Sequence, residues 1–271
     1  MPPEFVQSRQ NPRVQNLARL RERAHRDAQQ RFLVEGRREL ERALARGVVE
    51  EVYLCPEYFR ENVAADLQKE IERGQLPVCQ LAPPAFDKVS LRDGPDGFLG
   101  VARAWQHSLA DLTLATPALV LVIEAVEKPG NLGALLRTAE AAGAAVIVCD
   151  PVTDLFNPHV VRNSQGALFT LPIAVSDAPA AVEYLRTRHI AIVATTPDPQ
   201  QPCYWDLNLR EAAAIVVGSE KNGLSALWLT AANARARIPM AGTADSLNVA
   251  SAAAILLFEA VRQRGVTGPP A

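Results

Sequence analysis

Cysteine is scarce and scattered in this chain: Cys55, Cys79, Cys149 and Cys203 are all there is in 271 residues. No C-x-x-C pair and no histidine at ligand spacing accompanies them, which excludes the usual zinc clips and a disulfide framework and leaves reduced thiols of a cytosolic protein as the reading. Long apolar runs are missing too. None approaches the roughly 18 to 20 residues of a membrane span. The opening MPPEFVQSRQNP lacks the apolar centre of a secretory signal, so a soluble, cytoplasmic setting away from membranes is expected. There is no excess of positive charge: 28 basic and 30 acidic residues give −2, which argues against a protein that coats nucleic acid non-specifically. Glycine fingerprints are absent as well. No G-x-G-x-x-G occurs, against a Rossmann dinucleotide site, and no metal is called for.

What charge there is lies unevenly. Residues 1–46 hold eleven arginines and six acidic residues, so this stretch carries +5 and the rest −7. A basic end on a mildly acidic body suggests polyanion contact by one part and other work by the remainder. The length allows one large domain or two modest ones, and the pattern favours two. The first part alternates: an Arg-rich helix from Val14 to Gln30, the strand Phe32-Leu33-Val34, a helix from Arg37 to Arg46 ended by Gly47, and a strand from Val49 to Leu54. Pro56 then opens a helix that Gly74 closes, and strands follow at Leu76 to Leu81 and at Phe98 to Arg103. From Ala118 the run ALVLVIE reads as a parallel strand covered on both faces. Similar runs recur at Ala145 to Cys149, Ile190 to Ala194 and Ala214 to Val217. Helical stretches run from Leu132 to Ala142 and from Ala178 to Arg188, and an Ala-rich helix from Leu247 to Arg264 precedes a fraying tail. The fold class is therefore α/β: a smaller α/β domain over 1–108, then a parallel sheet with helices on both faces over 109–271.

Three segments carry chemistry. Glu127-Lys128-Pro129-Gly130-Asn131-Leu132-Gly133-Ala134-Leu135-Leu136-Arg137 leaves a buried strand and enters a helix, at the carboxyl end where open α/β sheets bind ligands. Gly130 and Gly133 permit a tight turn, and Arg137 can project toward the same crevice; alone, this reads rather as a glycine turn followed by a surface arginine. Gly218-Ser219-Glu220-Lys221-Asn222-Gly223-Leu224-Ser225 nearly fits a P-loop, but Leu224-Ser225 stands where Lys-Ser/Thr is required, which rejects nucleotide hydrolysis. Alone, it is a turn capping the next helix. In Ile238-Pro239-Met240-Ala241-Gly242-Thr243-Ala244-Asp245-Ser246-Leu247-Asn248-Val249 a strand ends, a small-residue loop follows and a long helix begins. Ser246 reads as its cap, and such a loop can bring backbone groups close to a flat ligand such as adenine.

In order and spacing, PGNLGALLRTAEAAG, GSEKNGLS and IPMAGTADSLNVASAAAILLFE resemble the three motifs of the SpoU, or TrmH-like, branch of the SPOUT RNA 2′-O-ribose methyltransferases. Asp150-Pro151 and the stretch from Phe156 to Ala167 match a further segment usual there, and the resemblance covers about residues 118 to 262. Phe32-Leu33-Val34-Glu35-Gly36 with its following helix is similar to the L30e-like substrate-binding domain of many members. The resemblance implies a deep trefoil knot and a homodimer through the C-terminal domain. It implies S-adenosylmethionine held among Gly218, Ile238, Met240, Leu247, Ser246 and Thr195. Asn131 and Glu220 would arrange the site, Ser246 and Asn248 would order the loop or reaction centre, and Arg137 would help the ribose hydroxyl lose its proton. A guanidinium stays protonated at neutral pH, so Arg137 acts either as that base or as a stabiliser of the alkoxide and adjacent phosphate. One departure stands out: Lys221-Asn222 replaces a smaller, glycine-containing pair.

Structured RNA is the implied partner, large-subunit ribosomal RNA ahead of tRNA. Candidates for contacting it are Arg9, Arg13, Arg19, Arg21, Arg23, Arg26, Arg37, Arg38 and Arg162, supplying salt-dependent affinity; an Arg-rich helix is equally a solvated face. His159 reads as a structural histidine rather than a substrate group. Two other readings compete: a non-catalytic RNA-binding or ribosome-assembly protein, which the intact Asn131, Arg137, Glu220, Ser246 and Asn248 oppose, and a nucleotide-using small-molecule enzyme, which the missing glycine fingerprints oppose.

Overall fold

The computed structural model describes residues 4–59, 67, 69–71 and 74–265. The chain divides into two compact units. The first takes the residues up to Trp105 together with Asp154–Thr170; the second takes Gln106–Thr153 and everything from Leu171 onward. A single boundary at 108/109 therefore does not describe the division, because the stretch 154–170 packs with the first unit. The reason is aromatic burial. Phe156 packs tilted against Phe32 at 4.6 Å between ring centroids and meets Trp105 edge-on at 5.0 Å, while Phe169 stacks on Phe32 at 6.3 Å.

In the first unit, strands β1 (Glu4–Val6), β2 (Arg31–Glu35), β3 (Val49–Leu54), β4 (Val78–Leu81) and β5 (Phe98–Arg103) form a mixed sheet in the order β1-β4-β3-β5-β2. Helices α1 (Pro12–Arg19), α2 (Arg23–Gln29), α3 (Arg37–Ala45) and α4 (Pro83–Val89) pack on it. The single helix expected from Val14 to Gln30 is two. Asn11 caps α1 by accepting from Arg13 N at 2.9 Å, and after the break Arg26 donates to the carbonyls of Leu20 and Arg21 at 3.0 and 2.7 Å. Its other nitrogen pairs with Asp154 at 2.7 Å. Arg26 is 3% exposed, so its place among the RNA-facing arginines is corrected: it holds the unit together. Arg26→Ala should destabilise the protein by about 3–5 kcal/mol, since it strands Asp154 and two carbonyls. Calorimetry checks this; a melting temperature equal to wild type would remove the assignment. The helix expected from Pro56 to Gly74 lies partly outside the described residues; a 3-10 turn occupies Pro56–Tyr58, and the described residues 67 and 69–71 are helical, as expected, with Leu67 and Ile71 buried.

The second unit carries β6 (Leu119–Glu124), β7 (Ala145–Cys149), β8 (Ile173–Ser176), β9 (Ala191–Thr195), β10 (Ala213–Val217) and β11 (Ala234–Ala236), all parallel, in the order β11-β9-β10-β6-β7-β8. Because successive side chains alternate, Val120, Val122, Ile147, Ala214 and Val216 face one way, against helix α6 (Ala178–Thr187) and the fully buried Trp228. The opposite face meets α5 (Pro129–Ala141) and α7 (Val249–Gln263), which also pack on each other. Each fully buried aliphatic side chain contributes about 1.5–3 kcal/mol, which explains why β6 is apolar throughout until its last residue. The four-residue edge strand β8 was not expected, and the strand expected to end before Pro239 is the three-residue β11, which stops at Ala236.

Candidate active site

Strands β6 and β10 are neighbours, registered with Ile123 opposite Val217, so the chain leaves both at the same edge of the sheet. From β6 the chain steps to β7 and β8 on one side, whereas β9, β10 and β11 lie on the other. Such a reversal opens a crevice beyond the carboxyl ends of the strands. Glu124, the residue that ends β6, is buried, and its carboxylate accepts from Ser225 N at 2.8 Å, tying the loop after β10 to the central strand. Sequence reasoning missed it. The signal was a lone acid closing an otherwise apolar strand, because a buried carboxylate needs a donor.

The loop itself is tight. Gly223 lies at φ +65°, its N–H donates to Ser219 O at 3.0 Å, and Asn222 N donates to Ser219 Oγ at 3.1 Å. A Cβ on Gly218 would stand 2.2 Å from Gly223 O and 2.4 Å from Gly223 C, so backbone passes where any side chain would be. This turn presents Glu220 outward.

Asn131, in the first turn of α5, donates through Nδ2 to Glu220 Oε1. Its Oδ1 accepts from Asn248 Nδ2 at 3.1 Å, and Asn248 Oδ1 accepts from Ala250 N at 3.0 Å, capping α7. One hydrogen-bonded chain thus joins all three segments. Its polarity is forced: a carboxylate only accepts, so the Asn131 amide nitrogen faces Glu220 and its oxygen faces Asn248. The helix cap falls on Asn248 because α7 starts at Val249; Ser246, expected as that cap, is exposed and does not cap it.

Other expected site residues are placed differently. Arg137 is exposed and its side chain makes no hydrogen bond or ion pair with the described residues; six residues beyond Asn131, it sits about 120° around the helix. Thr195 spends its hydroxyl on Val216 O at 2.9 Å, locking β9 to β10. Ile238 is half-buried, while Met240 and Leu247 are exposed. Between Met240 and Leu247 the main chain makes no backbone hydrogen bond to the described residues, leaving its donors and acceptors for a flat heterocycle. Exposed apolar side chains flanking unspent backbone groups fit an adenosine. Lys221 is exposed and Asn222 serves the turn.

Among the expected RNA contacts, Arg9 donates to Pro84 O at 2.9 Å and Arg21 to Val89 O and Ser90 O, both at 2.6 Å. Arg13 pairs with Glu4 at 2.8 Å and Arg23 with Asp27 at 3.5 Å; exposed pairs of this kind are worth little and are easily exchanged for phosphate. Arg19 is exposed and unpaired among the described residues. Arg37, Arg38 and Arg162 line one cleft. His159 is exposed, with no bond to its ring among the described residues, so it is not a bonded structural histidine. No cluster of three or more metal-ligating side chains and no membrane-length apolar helix occurs among the described residues.

A doubly covered parallel sheet, with three loops stitched together at its switch point and a separate arginine-rich unit, defines a two-unit α/β protein built around a small-ligand crevice. The chain belongs to the SpoU rRNA methylase family, which matches residues 118–258. Residues 11–100 match the MRM3-like substrate binding domain. The 23S rRNA (guanosine(2553)-2′-O)-methyltransferase RlmP of Bacillus subtilis (strain 168) is 32% identical over 255 residues, 93% of this chain and 97% of that one. The 23S rRNA (uridine(2479)-2′-O)-methyltransferase of Streptomyces viridochromogenes is 31% identical, with 86% and 76% covered. The crystal structure of an RNA 2′-O ribose methyltransferase superposes with a TM-score of 0.84 at 42% identity, covering 97% of this chain and 100% of the other. An AdoMet-bound rRNA methyltransferase from Sinorhizobium meliloti gives 0.85 at 29%, covering 96% and 97%.

Proposed function

We propose that this chain methylates a ribose 2′-hydroxyl of large-subunit (23S) ribosomal RNA, with S-adenosylmethionine as donor. The observation that carries the reading is the hydrogen-bonded chain Glu220–Asn131–Asn248, which unites the three family segments at the sheet's switch point. Gly218, Ile238, Met240 and Leu247 would hold the cofactor, whose sulfonium supplies an electrophilic methyl group. The protein's own task is to align one ribose oxygen and manage its negative charge, and positioning supplies much of the acceleration. Asn131 is fixed at both ends of its amide, so it orders the loops rather than moving protons. Arg137, unpaired among the described residues, stabilises the alkoxide and holds the neighbouring phosphate.

The same reading includes a homodimer formed through α7, supported by the exposed Phe258 on that helix, at 47%, and by Trp205, at 50%, in the turn Tyr204–Asp206 that packs on it. It includes a cytoplasmic setting and a trefoil knot, the latter supported by the return of β10 into the gap between β9 and β6. Incubation with labelled S-adenosylmethionine and separate pools of 23S rRNA and tRNA tests the whole. Label is expected on ribose in 23S rRNA; label in tRNA alone would overturn the substrate, and no label with either would overturn the activity.

A further inference from the structure

A cleft of about 850 Å³ lies within the first unit, walled by the start of α3, the turn around residues 92–96 and the stretch 162–165. That is within the roughly 300–1,000 Å³ of ordinary ligand sites. Four arginines and four carboxylates line it, so its formal charge is nil, unlike the cationic grooves that track a nucleic-acid backbone. Much of that charge is already paired. Arg37 donates from Nε to Glu41 at 2.6 Å and from its backbone N to Asp96 at 2.9 Å, and Arg92 reaches Glu39 at 3.3 Å.

The groups left with capacity alternate in sense. Among the described residues, Arg162 engages Nη1 alone, on Leu91 O at 2.8 Å. Arg38 makes one side-chain bond to the described residues, from Nη1 to Gln165 Oε1 at 3.2 Å, and the Gln165 amide nitrogen makes none to them. Asp93 is exposed and unpaired among the described residues. Asn163 uses Nδ2 on His159 O at 2.6 Å, and its oxygen has no partner among the described residues. Three donors and two acceptors therefore border one space.

We infer that this cleft seats an unpaired nucleobase of the RNA substrate and reads its edge, an assignment that rests on the methyltransferase reading above. A base edge sets N–H donors beside ring-nitrogen and carbonyl acceptors, the complement of Asp93 and Asn163 interleaved with Arg38, Arg162 and Gln165. A phosphate would meet the Asp93 carboxylate and be repelled. Sequence-selective RNA proteins take unpaired bases for this reason: the edges are free.

The sign of one substitution decides between base and backbone. RNA hairpins sharing a stem and differing only in a loop of A, C, G or U are titrated, by fluorescence anisotropy, with wild type, Asp93→Asn and Gln165→Asn; the last keeps a residue that tolerates the φ of 49° found there. Wild type is expected to prefer one loop. Asp93→Asn should weaken that hairpin about tenfold and flatten the preference, with the slope against salt unchanged. Tighter binding of all four hairpins by Asp93→Asn, the response of a phosphate site, would overturn the inference, and so would unchanged affinities. Uptake of S-adenosylmethionine is read separately by calorimetry. A protein that takes up the donor and methylates rRNA while Asp93→Asn binds RNA normally loses only the cleft assignment, whereas wild type that takes up no donor loses the methyltransferase reading itself.

Discussion

Replacing Arg137 with alanine should lower turnover by about 10²–10³-fold, the usual cost of removing one preorganised group that stabilises developing negative charge. Uptake of S-adenosylmethionine should stay within about twofold of wild type, because an interaction made only in the transition state leaves ground-state binding alone. The separation follows from placement. Arg137 is exposed and has no partner among the described residues, so its loss breaks nothing in the fold, while the helix that carries it is anchored by Asn131 to the other two loops. A guanidinium is a very poor base, so on the proposed reading the proton of the ribose hydroxyl leaves by another route, with Arg137 holding the charge left behind. Arg137→Lys keeps a point charge but not the planar fork, and its rate should fall between the two. Single-turnover kinetics and calorimetry on the same preparations provide the check. Folded Arg137→Ala that no longer takes up the cofactor, or that turns over normally, would refute this role.

Much of the second unit was legible because burial writes itself into residue type. A strand covered on both faces can hold little but aliphatic side chains, and ALVLVIE, AVIVC and AAIVV do so. The short edge strand at Ile173–Ser176 carried too few residues to show a pattern, whereas Pro239 marked the end of a strand that lies at Ala234–Ala236. Glu124 was hidden for a different reason: its partner is a backbone N–H 101 residues away, and no local spacing encodes such a pairing. The same holds for Asn131 and Glu220, 89 residues apart. Their joint importance came from resemblance, and their mutual bond only from the structure. In the first unit charge misled. Arg26 looks like its neighbours in sequence, yet the break between α1 and α2 turns it inward onto two carbonyls and Asp154. Likewise the stretch 154–170 reads as part of the sheet domain by position, while its phenylalanines belong to the aromatic cluster around Phe32. Ser246 and Asn248 are both good capping residues, and only the start of the helix chooses between them.

Asn248→Asp separates the structural from the catalytic use of that residue. The aspartate retains an oxygen to accept from Ala250 N, and a negative charge at a helix N-terminus is favourable by about 0.3–1 kcal/mol, so thermal stability should hold or rise slightly. What it loses is the donor. Asn131 Oδ1 would face a carboxylate, and no rearrangement repairs this: turning the Asn131 amide to satisfy the aspartate presents its oxygen to Glu220, which also only accepts. The chain must open at one joint, freeing the loop from Met240 to Leu247 or the turn that carries Glu220. Cofactor affinity and turnover should both fall by about tenfold, the scale of one lost hydrogen bond worth about 1–1.5 kcal/mol. Asn248→Ala should show the same functional loss plus about 1 kcal/mol of destabilisation from the missing cap. Glu220→Gln should be the mild member of the set, since its amide oxygen still accepts from Asn131. Melting curves set beside calorimetric cofactor titrations distinguish the three. If Asn248→Asp binds and turns over like wild type, the hydrogen-bonded chain is not what assembles the site.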